Sequence, residues 1–213
     1  MFCYIAKVTF IGDSRSGKTS LIKRYQENSF SQVPISTVGV DFSIREIEQS
    51  PPNHPLKLQI WDTAGQERFN SVVQLYFRNS YAIVLAFDLT NKSSFNNLNR
   101  WIKLVREEYE PELFIIVGNK SDLSKPAITR TDVYHKLIHI EPKIKFKYLE
   151  TSAKNNKNVD KIFTTITDHI NQALTTDPPS IKQHTSLRKA ERANSPVQVA
   201  TTAIQSTFPN CCN

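Results

Sequence analysis

Gly12-Asp13-Ser14-Arg15-Ser16-Gly17-Lys18-Thr19 fits the spacing G-x-x-x-x-G-K-[ST], the pattern of a loop that wraps phosphates in backbone N–H groups. In such a loop Lys18 supplies a point charge to the β- and γ-phosphates, and Thr19 a hydroxyl to Mg²⁺. The chain has only five glycines, Gly12, Gly17, Gly39, Gly65 and Gly118, where average usage would give roughly 15. Glycine is needed where backbone approaches a ligand closely or takes φ > 0. Its near-absence elsewhere marks where a ligand is expected.

Two more motifs extend this chemistry. Asp62-Thr63-Ala64-Gly65-Gln66 places a carboxylate that can hold Mg²⁺ through water, a Gly65 N–H for a γ-phosphate, and Gln66 to orient an attacking water. Asn119-Lys120-Ser121-Asp122 fits N-K-x-D. The Asp122 carboxylate can accept both N–H groups on one edge of guanine, a pattern adenine lacks. Such paired polar recognition discriminates steeply, because the wrong base leaves buried groups unpaired. Glu150-Thr151-Ser152-Ala153-Lys154 then offers a backbone N–H to the guanine carbonyl.

The elements that must position these loops alternate between strand and helix. Tyr4–Ile11 reads as a buried strand and Ser16–Glu27 as a helix with Leu21, Ile22 and Tyr25 on one face. Ser20, at the start of that helix, is expected to bind nucleotide with the loop before it. Val38–Glu48 and Leu56–Trp61 read as an antiparallel hairpin about the proline-rich turn Gln49–Pro55. Glu67–Arg78 is helical in pattern, and Ala82–Phe87 is apolar throughout, as a central parallel strand is. Ser93 reads as the cap of a helix to about Tyr109, turning Phe95, Leu98, Trp101, Ile102 and Val105 inward. Leu113–Val117 and Phe146–Leu149 read as strands, Thr131–Ile140 and Val159–Leu174 as helices. About six strands and five helices make an α/β fold, a three-layer sandwich whose six-stranded sheet is mostly parallel with one antiparallel hairpin strand. Ligands in such sheets bind beyond the carboxyl ends of the strands.

Composition bounds the rest. The 213 residues suit one domain, 1–174, plus an appendage. Residues 175–213 are rich in Pro, Ser, Thr, Gln and Asn and read as a disordered linker. No apolar run is long enough to span a membrane. The first strand follows the N-terminus too closely for a signal peptide, and Phe2 excludes N-myristoylation, so a cytosolic protein is expected. The net charge of +7 is spread without an aromatic–basic stripe, which argues against nucleic acid and for an anionic membrane surface. Three cysteines make no disulfide framework; Cys3 reads as a small buried hydrophobe. His135 and His139 lie four apart without the partners of a metal motif and read as surface or satisfied residues.

Together these motifs resemble the Ras superfamily of small GTPases and, within it, the Rab family. The resemblance covers about residues 4–174 and returns at the last three. Its Rab-like signals are Ile35-Ser36-Thr37-Val38-Gly39-Val40-Asp41-Phe42, Trp61-Asp62-Thr63-Ala64-Gly65-Gln66-Glu67-Arg68-Phe69 and Cys211-Cys212-Asn213. It implies a P-loop GTPase domain that binds GTP and GDP with Mg²⁺ held by Thr19, Thr37 and Asp62, and slow hydrolysis with Gln66 catalytic. It implies that Phe30 packs on the base, that Lys120 and Lys154 flank it, and that Val38, Gly39, Phe42, Trp61 and Tyr76 face effectors. Trp61 and Phe42 have a plain alternative as core, and Trp101 reads as helix core. The double-cysteine end resembles those that carry two geranylgeranyl groups on Cys211 and Cys212; two chains anchor stably where one does not. Implied partners are an exchange factor, a GTPase-activating protein, effectors, a prenyl-carrying escort and a GDP-dissociation inhibitor. The implied location is the cytoplasmic face of an intracellular membrane, with cycling through the cytosol.

The chain departs from the family pattern at Arg15, where glycine is usual; its side chain either points to solvent or lies near the γ-phosphate and alters turnover. A lengthened Pro51–Pro55 turn and Asn79-Ser80-Tyr81 also depart. Two other readings follow: a GTP-binding scaffold that does not hydrolyse, and a P-loop ATPase or nucleotide kinase. The Asn119–Asp122 motif argues against the last.

Overall fold

A computed structural model describes residues 2–33, 37, 39–47, 55–65, 76–124, 126–140, 146–176 and 187–191. The strands are β1 (Phe2–Ile11), β2 (Val40–Ile47), β3 (Leu56–Thr63), β4 (Ala82–Asp88), β5 (Leu113–Asn119), β6 (Phe146–Glu150) and β7 (Leu187–Glu191). The helices are α1 (Lys18–Glu27), α2 (Lys92–Asn96), α3 (Leu98–Glu108), α4 (Arg130–Ile140) and α5 (Val159–Thr176).

The sheet runs in the order β2-β3-β1-β4-β5-β6, with β7 paired to β1. β3, β1, β4, β5 and β6 are mutually parallel, and β2 is antiparallel to β3. Their apolar residues alternate between two cores, as the pleat requires. Ala82, Val84 and Ala86 of β4 pack with Leu21 and Ile22 of α1 and Ile162, Phe163 and Ile166 of α5. Ile83, Leu85 and Phe87 pack on the other face with Trp101, Ile102 and Val105 of α3 and Val133 and Leu137 of α4. Helices thus cover both faces, giving the expected three layers. Because the five central strands are parallel, the loops after β1, β3, β5 and β6 emerge at one end of the sheet.

Several boundaries differ from the sequence reading. α1 starts at Lys18, not Ser16, because Gly17 sits at φ 92°, outside helical space. The cap of the next helix is Asn91, whose side chain accepts from Ser93 N and Ser94 N, so Ser93 lies inside the helix. The stretch read as one helix to Tyr109 is two, α2 and α3, meeting at Asn97. Within 175–213, read from composition as linker, α5 continues to Thr176 and Leu187–Glu191 forms a strand on β1. The signal missed was Leu187, which is 4% exposed in the core. The expected helix 67–78 lies outside the described residues except for its end, as do the turn 49–54 and the end at 211–213. Cys3 is buried, as expected.

Candidate functional site

At the carboxyl ends of the parallel strands lies a cavity of about 400 Å³. Of the residues singled out from sequence, Ser14, Arg15, Gly17, Lys18, Thr19, Ser20, Phe30, Thr37, Gly65, Asn119, Lys120, Asp122, Ala153 and Lys154 line it. Asp13, Ser16 and Ser152 stand behind this lining as supports. Gln66 and Val38 lie outside the described residues. Lys23, Ser29, Ser31, Gln32, Val33 and Leu123 also line the cavity and were missed. They sit on α1 or on loops whose spacing carries no motif.

The phosphate loop is held from all sides. Gly12 takes φ 129° and lies so close to β4 that a Cβ there would meet Ala86 O at 2.1 Å. Lys18 folds back over the loop, its Nζ donating to Gly12 O at 2.8 Å and Asp13 O at 3.0 Å. Gly65 O accepts from Ser14 N at 2.8 Å, so the segment after β3 lies directly on the loop. The Asp13 side chain points the other way, accepting from Asn97 Nδ2 at 2.7 Å and Trp101 Nε1 at 2.8 Å. The α1 N-terminus opens on the cavity with no side-chain cap and no acidic residue in its first turn. Unpaired N–H groups and the positive end of the helix dipole favour an anion there.

Beside the loop three oxygen side chains converge. Thr19 Oγ1 donates to Asp62 Oδ2 at 2.5 Å, and the Thr19 and Thr37 hydroxyls are 2.7 Å apart. Asp62 Oδ1 is buried without a hydrogen-bond partner. A carboxylate and two hydroxyls with an orphaned oxygen form the donor set a hard divalent cation takes. Burial lowers the pKa of Lys18 to about 8, against the pull of Asp62 and Asp13. Burial also raises that of Asp62, against hydrogen bonds from Thr19 and Thr37 and the charge of Lys18. Both groups are thus held at a desolvation cost that a bound polyphosphate and cation would offset.

The far end of the cavity is built around Asn119, which is 2% exposed. Its Nδ2 donates to Ser16 O at 3.0 Å, and its Oδ1 accepts from Thr151 Oγ1 at 3.2 Å and Ala153 N at 3.4 Å. One side chain therefore ties the loops after β1, β5 and β6. A Cβ on Gly17 would meet Asn119 Nδ2 at 2.2 Å, which explains the glycine. Ser152 Oγ donates to Asp122 Oδ1 at 2.6 Å, orienting that carboxylate. Lys120, at φ 65°, donates from Nζ to Asp88 Oδ2 at 2.6 Å. This holds its backbone at the cavity wall.

Outside the cavity, Trp61 lies 5.0 Å from Phe42 and 6.2 Å from Tyr76 between ring centroids. Phe42 is 43% exposed, which decides against core for that ring. Gly39 takes φ 75°, and its carbonyl accepts from Ala64 N. Arg15 is exposed at the cavity mouth with φ 64°, the left-handed conformation its usual glycine would favour. His135 and His139 are exposed. Among the described residues no His, Cys, Asp and Glu cluster of three or more forms a metal site, and no helix is long and apolar enough to cross a membrane.

A profile of the Ras family matches residues 7–172. Among curated proteins, the chain is 39% identical over 194 residues to Ras-related protein RABE1d of Arabidopsis thaliana, covering 90% of this chain and 88% of that one. It is 36% identical to Ras-related protein Rab-1 of Theileria parva, covering 89% and 85%. It is 36% identical to Ras-related protein Rab-3C of Bos taurus, covering 88% and 84%. These matches do not favour a scaffold that binds GTP without turnover. The chain belongs to the Ras family, as a Rab-like small GTPase that binds GTP and GDP and hydrolyses GTP.

Proposed function

We propose that this GTPase is a lipid-anchored switch for intracellular vesicle traffic, built as a nucleotide domain over 1–174 and a tail over 175–213. The observation that carries the nucleotide part is the Asn119 node. It joins the phosphate loop to both loops read as the guanine site.

In this reading the phosphates lie against the N–H groups of Arg15 and of Gly17 to Ser20, with Asp13, Ser14 and Ser16 bracing the loop. Asp122 takes the guanine edge, a backbone N–H of the Glu150–Lys154 segment its carbonyl, and Phe30, Lys120 and Lys154 its faces. Thr19, Thr37 and Asp62 fit Mg²⁺, which when bound offsets charge on the β- and γ-phosphates. Lys18 exchanges its bonds to Gly12 O and Asp13 O for phosphate oxygens, whose charge offsets the cost of its burial. Gln66 orients the water that attacks. Thr37 and Gly65 answer to the γ-phosphate, so hydrolysis alters the surface carrying Gly39, Phe42, Trp61 and Tyr76. That surface, with Val38, is where effectors would read the state.

Intrinsic turnover of about 10⁻⁴ to 10⁻³ s⁻¹ calls for an activating protein, and the phosphate cradle calls for an exchange factor. Cys211 and Cys212 carry the lipid, a prenyl-carrying escort and a GDP-dissociation inhibitor shield it in the cytosol, and the cytoplasmic face of an intracellular membrane receives it. The test is fractionation of cells expressing the Cys211→Ser/Cys212→Ser protein. The anchor reading expects it wholly in the soluble fraction with GTP hydrolysis intact; retention on membranes contradicts it.

A further inference from the structure

β1 has two edges along its first half. On one, Tyr4 donates its N–H to Pro55 O at 3.0 Å and β3 runs parallel from Leu56. On the other, β4 begins only opposite Val8. The bond from Tyr81 N to Lys7 O, 2.8 Å, lies on that second edge. Backbone groups alternate sides along a strand, so Cys3 and Ile5 aim their N–H and C=O groups at the same edge as Lys7, below the start of β4. Left open, that edge of an apolar strand would be a template for another chain.

The described part of the tail fills it. Leu187–Glu191 runs antiparallel to β1, with Leu187 opposite Ala6, Arg188 opposite Ile5, Ala190 opposite Cys3 and Glu191 opposite Phe2. The alternation makes Ile5–Arg188 and Cys3–Ala190 the hydrogen-bonded pairs. Leu187 enters the core cluster that holds Ala6, Ile170 and Leu174. A backbone ladder beside an apolar seat is the pattern of strand addition.

We infer that this edge of β1 is a strand-addition site whose occupant is the chain's own 187–191 segment, a docked strand that fixes where the tail leaves the domain. β7 runs away from the phosphate loop, so the chain departs roughly 30 Å from it, the length of a ten-residue strand. Docking leaves about 20 residues between the domain and Cys211, against about 35 counted from Thr176. Undocking lengthens the tether and opens the β1 edge. The tether length matters only under the lipid-anchor reading; the docking stands without it.

Amide hydrogen exchange on the full-length GDP-bound protein tests the docking. Arg188, Ala190, Cys3 and Ile5 N–H should be protected in the wild type. Ala190→Pro removes a ladder donor, and Leu187→Asp spoils the apolar seat while leaving every donor in place. Each should speed exchange at Cys3 and Ile5 by at least about tenfold, with Tyr4 N–H and GDP retention unchanged. Exchange of Arg188 and Ala190 at unstructured-chain rates in the wild type would overturn the inference without recourse to a variant. Unmoved Cys3 and Ile5 in both variants would overturn it too. Lipidation plays no part in the readout, so failure here and failure of the anchor reading are separate results.

Discussion

Trp101 Nε1 donates to Asp13 Oδ1 at 2.8 Å, joining the middle of α3 to the first variable position of the phosphate loop. Asn97, where α2 gives way to α3, holds the other carboxylate oxygen at 2.7 Å. Both Asp13 oxygens are thus taken from outside the cavity. Its carbonyl, turned inward, accepts Lys18 Nζ and Ser16 N. Trp101 is 1% exposed, so the indole is core and clamp at once.

Trp101→Phe keeps a ring in the core and removes the N–H. A hydrogen bond to a charged group contributes about 1.5 to 3 kcal/mol, and Asn97 retains its share of the carboxylate. The expected result is GDP release faster by about tenfold, read by displacement of a fluorescent GDP analogue, with melting lowered by only a few degrees. Unchanged release with lowered melting would make Trp101 core alone.

Ser152 lies behind the cavity wall, and its hydroxyl holds Asp122 at 2.6 Å. Ser152→Ala leaves the carboxylate in place without its orienting donor. GDP affinity is expected to fall by about tenfold, with the preference for guanine over adenine reduced but kept; Asp122→Ala should abolish that preference. Titration calorimetry with GDP and ADP checks both, and equal GDP affinity in Ser152→Ala and wild type would refute the orienting role.

Lys18 titrates at about 8 in the folded, ligand-free domain, below its ordinary 10.5, because it is buried. Between those values the unfolded chain binds the extra proton, so this residue's contribution makes stability rise with pH across about 8 to 10.5. Below pH 8 the full penalty, about 3 kcal/mol, is present. Stripped of nucleotide, Lys18→Met should therefore be more stable than wild type at pH 7, and the gap should close as pH approaches 10. Denaturant unfolding at both pH values checks this; a gap that widens with pH contradicts the assignment.

The alternation of Ile83, Leu85 and Phe87 against Ala82, Val84 and Ala86 was invisible as alternation in sequence, because both faces of β4 are buried. Apolar content alone nevertheless marked it as a central strand. The phosphate loop and the Asn119–Asp122 motif were legible because close backbone approach and base recognition restrict residue type at fixed spacing. Ser29, Ser31, Gln32 and Val33 were not, since a loop wall constrains none of its side chains to a type. The Asp13–Trp101 bond spans 88 positions, and nothing local in either residue announces the other. Leu187 was read as linker because a single apolar residue in a polar stretch carries no period. Only the open edge of β1 explains it.

A guanine-nucleotide switch that turns over GTP is tested by the identity of the nucleotide released when the purified, Mg²⁺-loaded protein is denatured. GDP is the predicted result, reporting both selection by the Asn119–Asp122 loop and completed hydrolysis. Retained GTP would contradict turnover and direct attention to Arg15 at the cavity mouth, and an adenine nucleotide would contradict guanine selection altogether.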